Sequence, residues 1–144
     1  MTTLDKWDFR FLRLAEHVSE WSKDPSTKVG AVIADPNNRI VSVGFNGFPV
    51  RVHDKPARLE DRDQKLAMTI HGDLNAILFA RQPLVGCTMY TWPFAPCSNC
   101  ASVIVQVGIR RVVAPKLPSN HRWTASIELA RSLFNEAGVQ LDLT

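Results

Sequence analysis

The sequence predicts an α/β fold, a five-stranded mixed sheet with helices on both faces in three α-β-α layers, and three observations lead there. A helical apolar stripe opens the chain, two β-branched runs follow as a hairpin, and three further strand-like segments then alternate with helical ones. The 144 residues make one ordinary domain, 1–144, long enough to bury about two thirds of its unfolded surface. With 45% hydrophobic and 22% charged residues, and neither a repeat nor a low-complexity tract, the composition excludes a disordered or fibrous chain.

Trp7, Phe11, Leu14, Val18 and Trp21 recur at spacings of three and four, which predicts an amphipathic helix over about 5–23 with this stripe in the core. Asp24-Pro25-Ser26 ends it. Residues 29–34 and 40–45 are rich in β-branched side chains, and Asp35-Pro36-Asn37-Asn38 between them favours a tight turn. From 46 to about 68, Pro, Gly and charge dominate, so a long surface segment is expected, with one short helix near 59–65. Residues 71–81 read as a helix with Leu74, Ile77 and Leu78 on one face, punctuated by Pro83 and Gly86. Residues 87–91 read as a strand, 97–107 as a buried helix closed by Gly108, and 111–114 as a strand. Thr124 is expected to cap a helix to about 137 with Ile127, Leu129, Ala130, Leu133 and Phe134 as its apolar stripe; 139–143 is the last strand.

The opening Met1-Thr2-Thr3-Leu4-Asp5-Lys6 lacks the charged start and apolar run of a secretory leader. No apolar stretch nears the roughly 18 residues that span a bilayer, so a cytoplasmic protein without a membrane partner is expected. Three cysteines are an odd number for a disulfide framework. In a reducing compartment Cys97 and Cys100 read as metal-binding or redox-active, and Cys87 as a small buried apolar side chain. A formal charge of +3 is too small to require nucleic acid as a partner. Arg51, Lys55, Arg58, Arg62 and Lys65 concentrate positive charge in one segment, as a solvated loop or as a phosphate-binding surface.

The chemistry concentrates in His71-Gly72-Asp73, opening one predicted helix, and in Pro96-Cys97-Ser98-Asn99-Cys100, opening another. One imidazole and two thiolates make three zinc ligands and leave the fourth tetrahedral position open, which distinguishes a catalytic site from a closed structural one. A helix start also favours thiolate over thiol.

These residues resemble the H-x-E and P-C-x-x-C signature of the zinc deaminases. Asp24-Pro25-Ser26-Thr27-Lys28-Val29-Gly30-Ala31, Gly44-Phe45-Asn46-Gly47-Phe48-Pro49, Leu74-Asn75-Ala76-Ile77 and Val105-Gln106-Val107-Gly108-Ile109 look like the corresponding stretches of deoxycytidylate deaminases. The resemblance runs from about residue 7 to 140 and implies the cytidine-deaminase-like fold. It also implies a Zn2+ site of His71, Cys97 and Cys100, and hydrolysis of dCMP to dUMP and ammonia, supplying the thymidylate precursor. In that chemistry Asp73 carries the proton from the attacking water to N3 and then to the departing amine. Asn46 matches a residue that holds the nucleoside, although it also suits a plain turn. Lys28, Arg51 and Arg58 are candidates for the phosphate, with no motif to choose between them.

Trp92 and Phe94 line the base pocket or pack on the sheet, and Trp123 reads as a packing residue. The resemblance further implies dCTP and dTTP effectors, with Mg2+ accompanying the triphosphate, near the segment that carries Arg51, Arg58, Arg62 and Lys65. A homo-oligomer follows too, with a hexamer as the expected state. Two positions depart from the pattern: Asp73 stands where the family has glutamate and Gly72 where it usually has alanine. Three readings stay open at this point: slower dCMP turnover, a pocket reshaped for another nucleotide or base, and a nucleotide-binding regulator.

Overall fold

The computed structural model describes residues 4–118 and 121–144. The opening Met1-Thr2-Thr3 of the amino-terminal reading lies outside them. Helix α1 (Lys6–Ser19) begins at a reciprocal cap, in which the Asp5 carboxylate accepts the Asp8 N–H and the Asp8 carboxylate accepts the Asp5 N–H, both at 3.0 Å. It ends four residues short of expectation. The N–H groups of Glu20, Trp21 and Ser22 each turn to the carbonyl three residues back, which tightens and stops the helix. Trp21 is therefore half exposed, with its ring edge-on to Phe45, and the buried stripe is Phe11, Leu12, Ala15 and Val18.

Strands β1 (Gly30–Ala34), β2 (Ile40–Phe45), β3 (Thr88–Trp92), β4 (Arg111–Ala114) and β5 (Gln140–Leu143) form one sheet in the order β2-β1-β3-β4-β5. β1 runs antiparallel to both β2 and β3, while β3, β4 and β5 are parallel. The β1–β2 turn is held by Asp35, whose carboxylate accepts the N–H groups of Asn37 and Arg39, with Asn38 at φ 62°. The parallel crossovers are α5 (Ser98–Gln106), closed by Gly108 at φ 87°, and α6 (Thr124–Ala137).

Alternation along the strands separates two cores. Ala31, Ile33, Met89 and Val112 face Ala101, Ile104, Ala130 and Phe134 of α5 and α6, together with Ala76 of helix α4 (Gly72–Leu78). Val32, Ala34, Tyr90 and Val113 face Phe11, Leu12 and Ala15 of α1. The sheet thus lies between α1 on one face and α4, α5 and α6 on the other, the α-β-α layering expected from the sequence. On the α1 face Arg111 donates to both Asp8 oxygens (2.8 and 3.0 Å) and to Asp142 (2.7 Å), and the Tyr90 hydroxyl donates to Asp8 at 2.8 Å.

Four further local expectations need correction. The segment after β2 holds two short helices, α2 (Pro56–Glu60) and α3 (Arg62–Met68), instead of one. Asp61 at ψ 104° breaks the chain between them and its carboxylate caps α3 through the Gln64 N–H. On α4 the inner face is Gly72, Asp73 and Ala76, and Leu78 is exposed, because the helix lies on β2 by its first turn. Leu129 points outward from α6. Thr124 is the first residue of α6 and not its cap; Trp123 holds that place with no side-chain hydrogen bond to the helix.

Candidate active site

The parallel arrangement of β3 and β4 sends the chain from the carboxyl end of β3 straight into α5, so Cys97 becomes the N-cap of α5 and Cys100 lies in its first turn. His71 is the N-cap of α4. A bridge between Gly47 and Ile70, with N–H···O distances of 3.1 and 2.8 Å, ties His71's neighbour to the chain leaving β2. Two helix starts from opposite sides of β3 meet there.

His71 Nδ1 lies 3.2 Å from Cys100 Sγ and 3.4 Å from Cys97 Sγ, and the three donor atoms all fall within 4.8 Å of one another. A tetrahedral zinc with nitrogen and sulfur ligands separates them by about 3.6 Å, so this donor set fits the ion. All three cysteines are free thiols, which leaves the pair available as ligands. The Cys100 thiol's hydrogen bond to Cys97 and the nearby His71 hold the Cys97 thiol down to about 4, against partial burial. Cys100 is pushed up in turn by that sharing and by burial, and the Cys97 sulfur raises His71.

Asp73 is buried, 4% exposed, in the first turn of α4, where one oxygen accepts the Leu74 N–H at 3.1 Å. Burial pushes its carboxyl above the usual carboxylate range. The backbone approach at Gly72 sets this depth. A Cβ there would stand 2.9 Å from the Val29 carbonyl oxygen and 3.2 Å from the Asn46 nitrogen, two groups that hydrogen-bond each other.

Asp73 and His71 open onto a cavity that Cys97, Asn46, Phe94 and Arg62 also line. Asn46 is buried, its side-chain oxygen accepting the Val29 N–H at 2.8 Å and its amide donating to the Thr27 carbonyl at 2.9 Å. It acts as the clamp of the 27–29 wall while facing the cavity. Phe94 shares that wall, its ring 5.8 Å from His121.

Other expected contacts lie elsewhere. Trp92 packs in the α1-side core. Lys28 is exposed and donates to the Ser22 carbonyl at 2.5 Å. Arg51 lines a separate surface depression with Lys23, His53 and Lys55, and Arg58 donates to the His53 carbonyl at 3.2 Å. Lys65 is in the cavity wall but is 3% exposed and engaged by Asp24 and Ser26, at 3.0 and 3.1 Å. Short-range reading assigned cations by charge density, which carries no information about direction. Missed altogether were the lining residues Arg122 and Thr27, joined by a 3.0 Å hydrogen bond; no local pattern marks residues 95 positions apart as neighbours.

The family model for the cytidine and deoxycytidylate deaminase zinc-binding region matches residues 5–116. The chain belongs to this family. An uncharacterized deaminase in the luxG 3' region of Aliivibrio fischeri is 46% identical over 140 residues, covering 96% of this chain and 93% of that protein. Human deoxycytidylate deaminase is 39% identical over 142 residues, covering 93% and 77%. The dCMP deaminase of cyanophage S-TIM5, solved with dCMP and dUMP, has the same fold at a TM-score of 0.82 and 23% identity, over 99% of this chain and 100% of that one. The matched region is a zinc-binding one, and among the described residues His71, Cys97 and Cys100 are those whose donor atoms converge closely enough to hold a metal ion. Among the described residues no helix is long and apolar enough to cross a membrane.

Proposed function

We propose that the protein hydrolyses dCMP to dUMP and ammonia at the cavity shared by His71, Cys97, Cys100 and Asp73. The observation that carries this reading is the convergence of one nitrogen and two sulfur donors within 4.8 Å of one another beside a buried carboxyl. The 39% identity to human deoxycytidylate deaminase supports the substrate. His71, Cys97 and Cys100 are the residues that would hold zinc, and zinc there supplies the Lewis acidity that makes water nucleophilic near neutral pH. Asp73 takes a proton from the water as its oxygen adds to C4 and passes that proton to N3. It then moves the second proton to the exocyclic amine, the C4–N bond breaks, and ammonia leaves. A raised carboxyl suits both directions of transfer. Phe94 and the clamped Asn46 bound the ring and sugar and exclude bulk water.

Finer aspects rest on the same kinship. The exposed apolar residues Trp21, Phe45 and Phe79 suit burial between subunits, supporting a homo-oligomer, with a hexamer as the proposed state. The depression lined by Lys23, Arg51, His53, Asp54 and Lys55, where Asp54 pairs with Lys23 at 2.9 Å and Arg51 and Lys55 add positive charge, suits a dCTP or dTTP effector with its Mg2+. Free thiols suit a reducing, cytoplasmic compartment. Zinc content and ammonia release from dCMP, deoxycytidine, dCTP and purine nucleotides decide the main reading. One zinc per chain with dUMP as product is the expected result; zinc-loaded protein that deaminates none of them overturns it.

A further inference from the structure

The first amides of a helix have no partner inside it and are usually met by an oxygen on the N-cap side chain. In α5 the N-cap is Cys97, which carries no side-chain oxygen and whose sulfur belongs to the donor cluster with His71 and Cys100. The Ser98 amide is met from another element, because Ser126 of α6 accepts it through Oγ at 3.0 Å. The same hydroxyl donates to Ser98 Oγ at 3.3 Å, so both of its hydrogen-bonding functions are turned to the start of α5.

That bond falls on one particular peptide. The unit joining Cys97 to Ser98 has its carbonyl held by the Ala101 N–H at 2.9 Å and its own N–H held by Ser126. The first contact comes from within α5 and the second from outside it. Together they fix the peptide plane, and with it the direction in which the Cys97 side chain leaves the backbone. Residues 126, 130 and 134 also recur every four along one side of α6, where Ala130 and Phe134 share a core with Ala101 and Ile104 of α5. A hydroxyl at the end of such an apolar seam is costly unless it is paired, and Ser126 finds both of its partners on Ser98.

We infer that Ser126 is a positioning residue for the metal-ligating cysteines: by capping α5 from a neighbouring helix it leaves the Cys97 thiolate free for the ion and holds it in register with Cys100. This rests on the zinc reading above. Ser126 lies beyond residue 116, where the family match ends, so α6 supplies part of the frame for a site whose three ligands all come from the matched region. Groups that orient metal ligands from behind are worth about ten- to a hundredfold in metal affinity.

The test measures the zinc affinity of the full chain by competition with a chromogenic chelator, well below the melting temperature of every variant. Ser126→Ala removes the acceptor and should weaken zinc binding about tenfold. Ser126→Thr keeps a hydroxyl at the same place and should restore most of that loss. Co2+ bound in place of zinc reports the geometry of the thiolates; its visible absorption bands should change in Ser126→Ala and return in Ser126→Thr. Ala130→Gly loosens the same seam one turn further along without touching Ser98, and should lower Tm while leaving zinc affinity unchanged. Equal zinc affinity in the wild type and in folded Ser126→Ala overturns the inference, as does an equal loss in Ser126→Ala and Ala130→Gly, which would reduce Ser126 to packing. Wild-type protein that binds no zinc overturns the zinc reading itself and the inference with it.

Discussion

The Lys65 ammonium lies 3.0 Å from the Asp24 carboxylate with both side chains nearly buried, so one ion pair ties α3 to the turn that precedes β1. Removing one member leaves a buried charge without its partner, a loss of about 3 kcal/mol. Lys65→Met should therefore lower the chemical denaturation midpoint and loosen the cavity wall, read as a higher KM with a smaller change in kcat.

The same pair predicts an acid limit. Burial opposes the charge on Asp24, but Lys65 and the Ser26 and Thr27 N–H groups outweigh it and hold the carboxyl below its ordinary 3.8. A lowered folded pKa means that this stability is complete above the ordinary value and is lost as pH falls through the folded one. In Lys65→Met the dominant lowering influence is gone while burial remains. Thermal melts from pH 7 to 3 should show the Tm gap between wild type and variant narrowing as pH falls, because only the wild type loses the Asp24 contribution on acidification.

Gly72→Ala places a methyl group 2.9 Å from the Val29 carbonyl, so the first turn of α4 must retreat by a few tenths of an ångström. That retreat carries His71 and Asp73 with it. Misplacing catalytic groups on the 1 Å scale costs about a hundredfold in rate; a loss of about tenfold in kcat is expected here, checked by steady-state kinetics at equal zinc content. An unchanged kcat would show that the close approach has no part in positioning the acid.

Asp8 accepts from Arg111 twice and from Tyr90 on the face of the sheet opposite the cavity. Asp8→Asn should destabilise the fold by about 3 kcal/mol, because Arg111 keeps only Asp142. Activity of the protein that remains folded should stay within about twofold at room temperature, measured alongside a denaturation curve.

Chelation offers a structural readout of the donor cluster independent of turnover. A ligand held only by the folded state at a thousand times its Kd stabilises it by about 4 kcal/mol. Zinc removal should lower Tm by several degrees and added zinc restore it. Cys97→Ser and Cys100→Ser should show no such zinc-dependent shift.

Much of this molecule was open to reading along the chain. The β-branched strand runs, the Asp35 turn, Gly108 closing α5 and the His71, Cys97 and Cys100 set all depend on residue type and short spacing. Helix ends and inner faces were less legible. Trp21 has the right spacing for the α1 stripe, yet the hydrogen bonds that stop the helix at Ser19 leave it in solvent. The basic segment shows the same limit. Lys65 turns inward to Asp24, Arg58 to a carbonyl, and Arg62 alone of these faces the cavity with no carboxylate at hydrogen-bond distance.

The candidates for the reacting groups were legible from local chemistry, because ligand and proton-transfer roles require particular atoms and helix starts present them in a recognisable order. Which cations and aromatics share the cavity was decided by folding, since contacts such as Arg122 with Thr27 span 95 positions and depend on the sheet bringing α6 beside the turn before β1. Periodicity reports how a residue relates to its near neighbours on one element; the direction of a long side chain depends on which distant group is there to receive it.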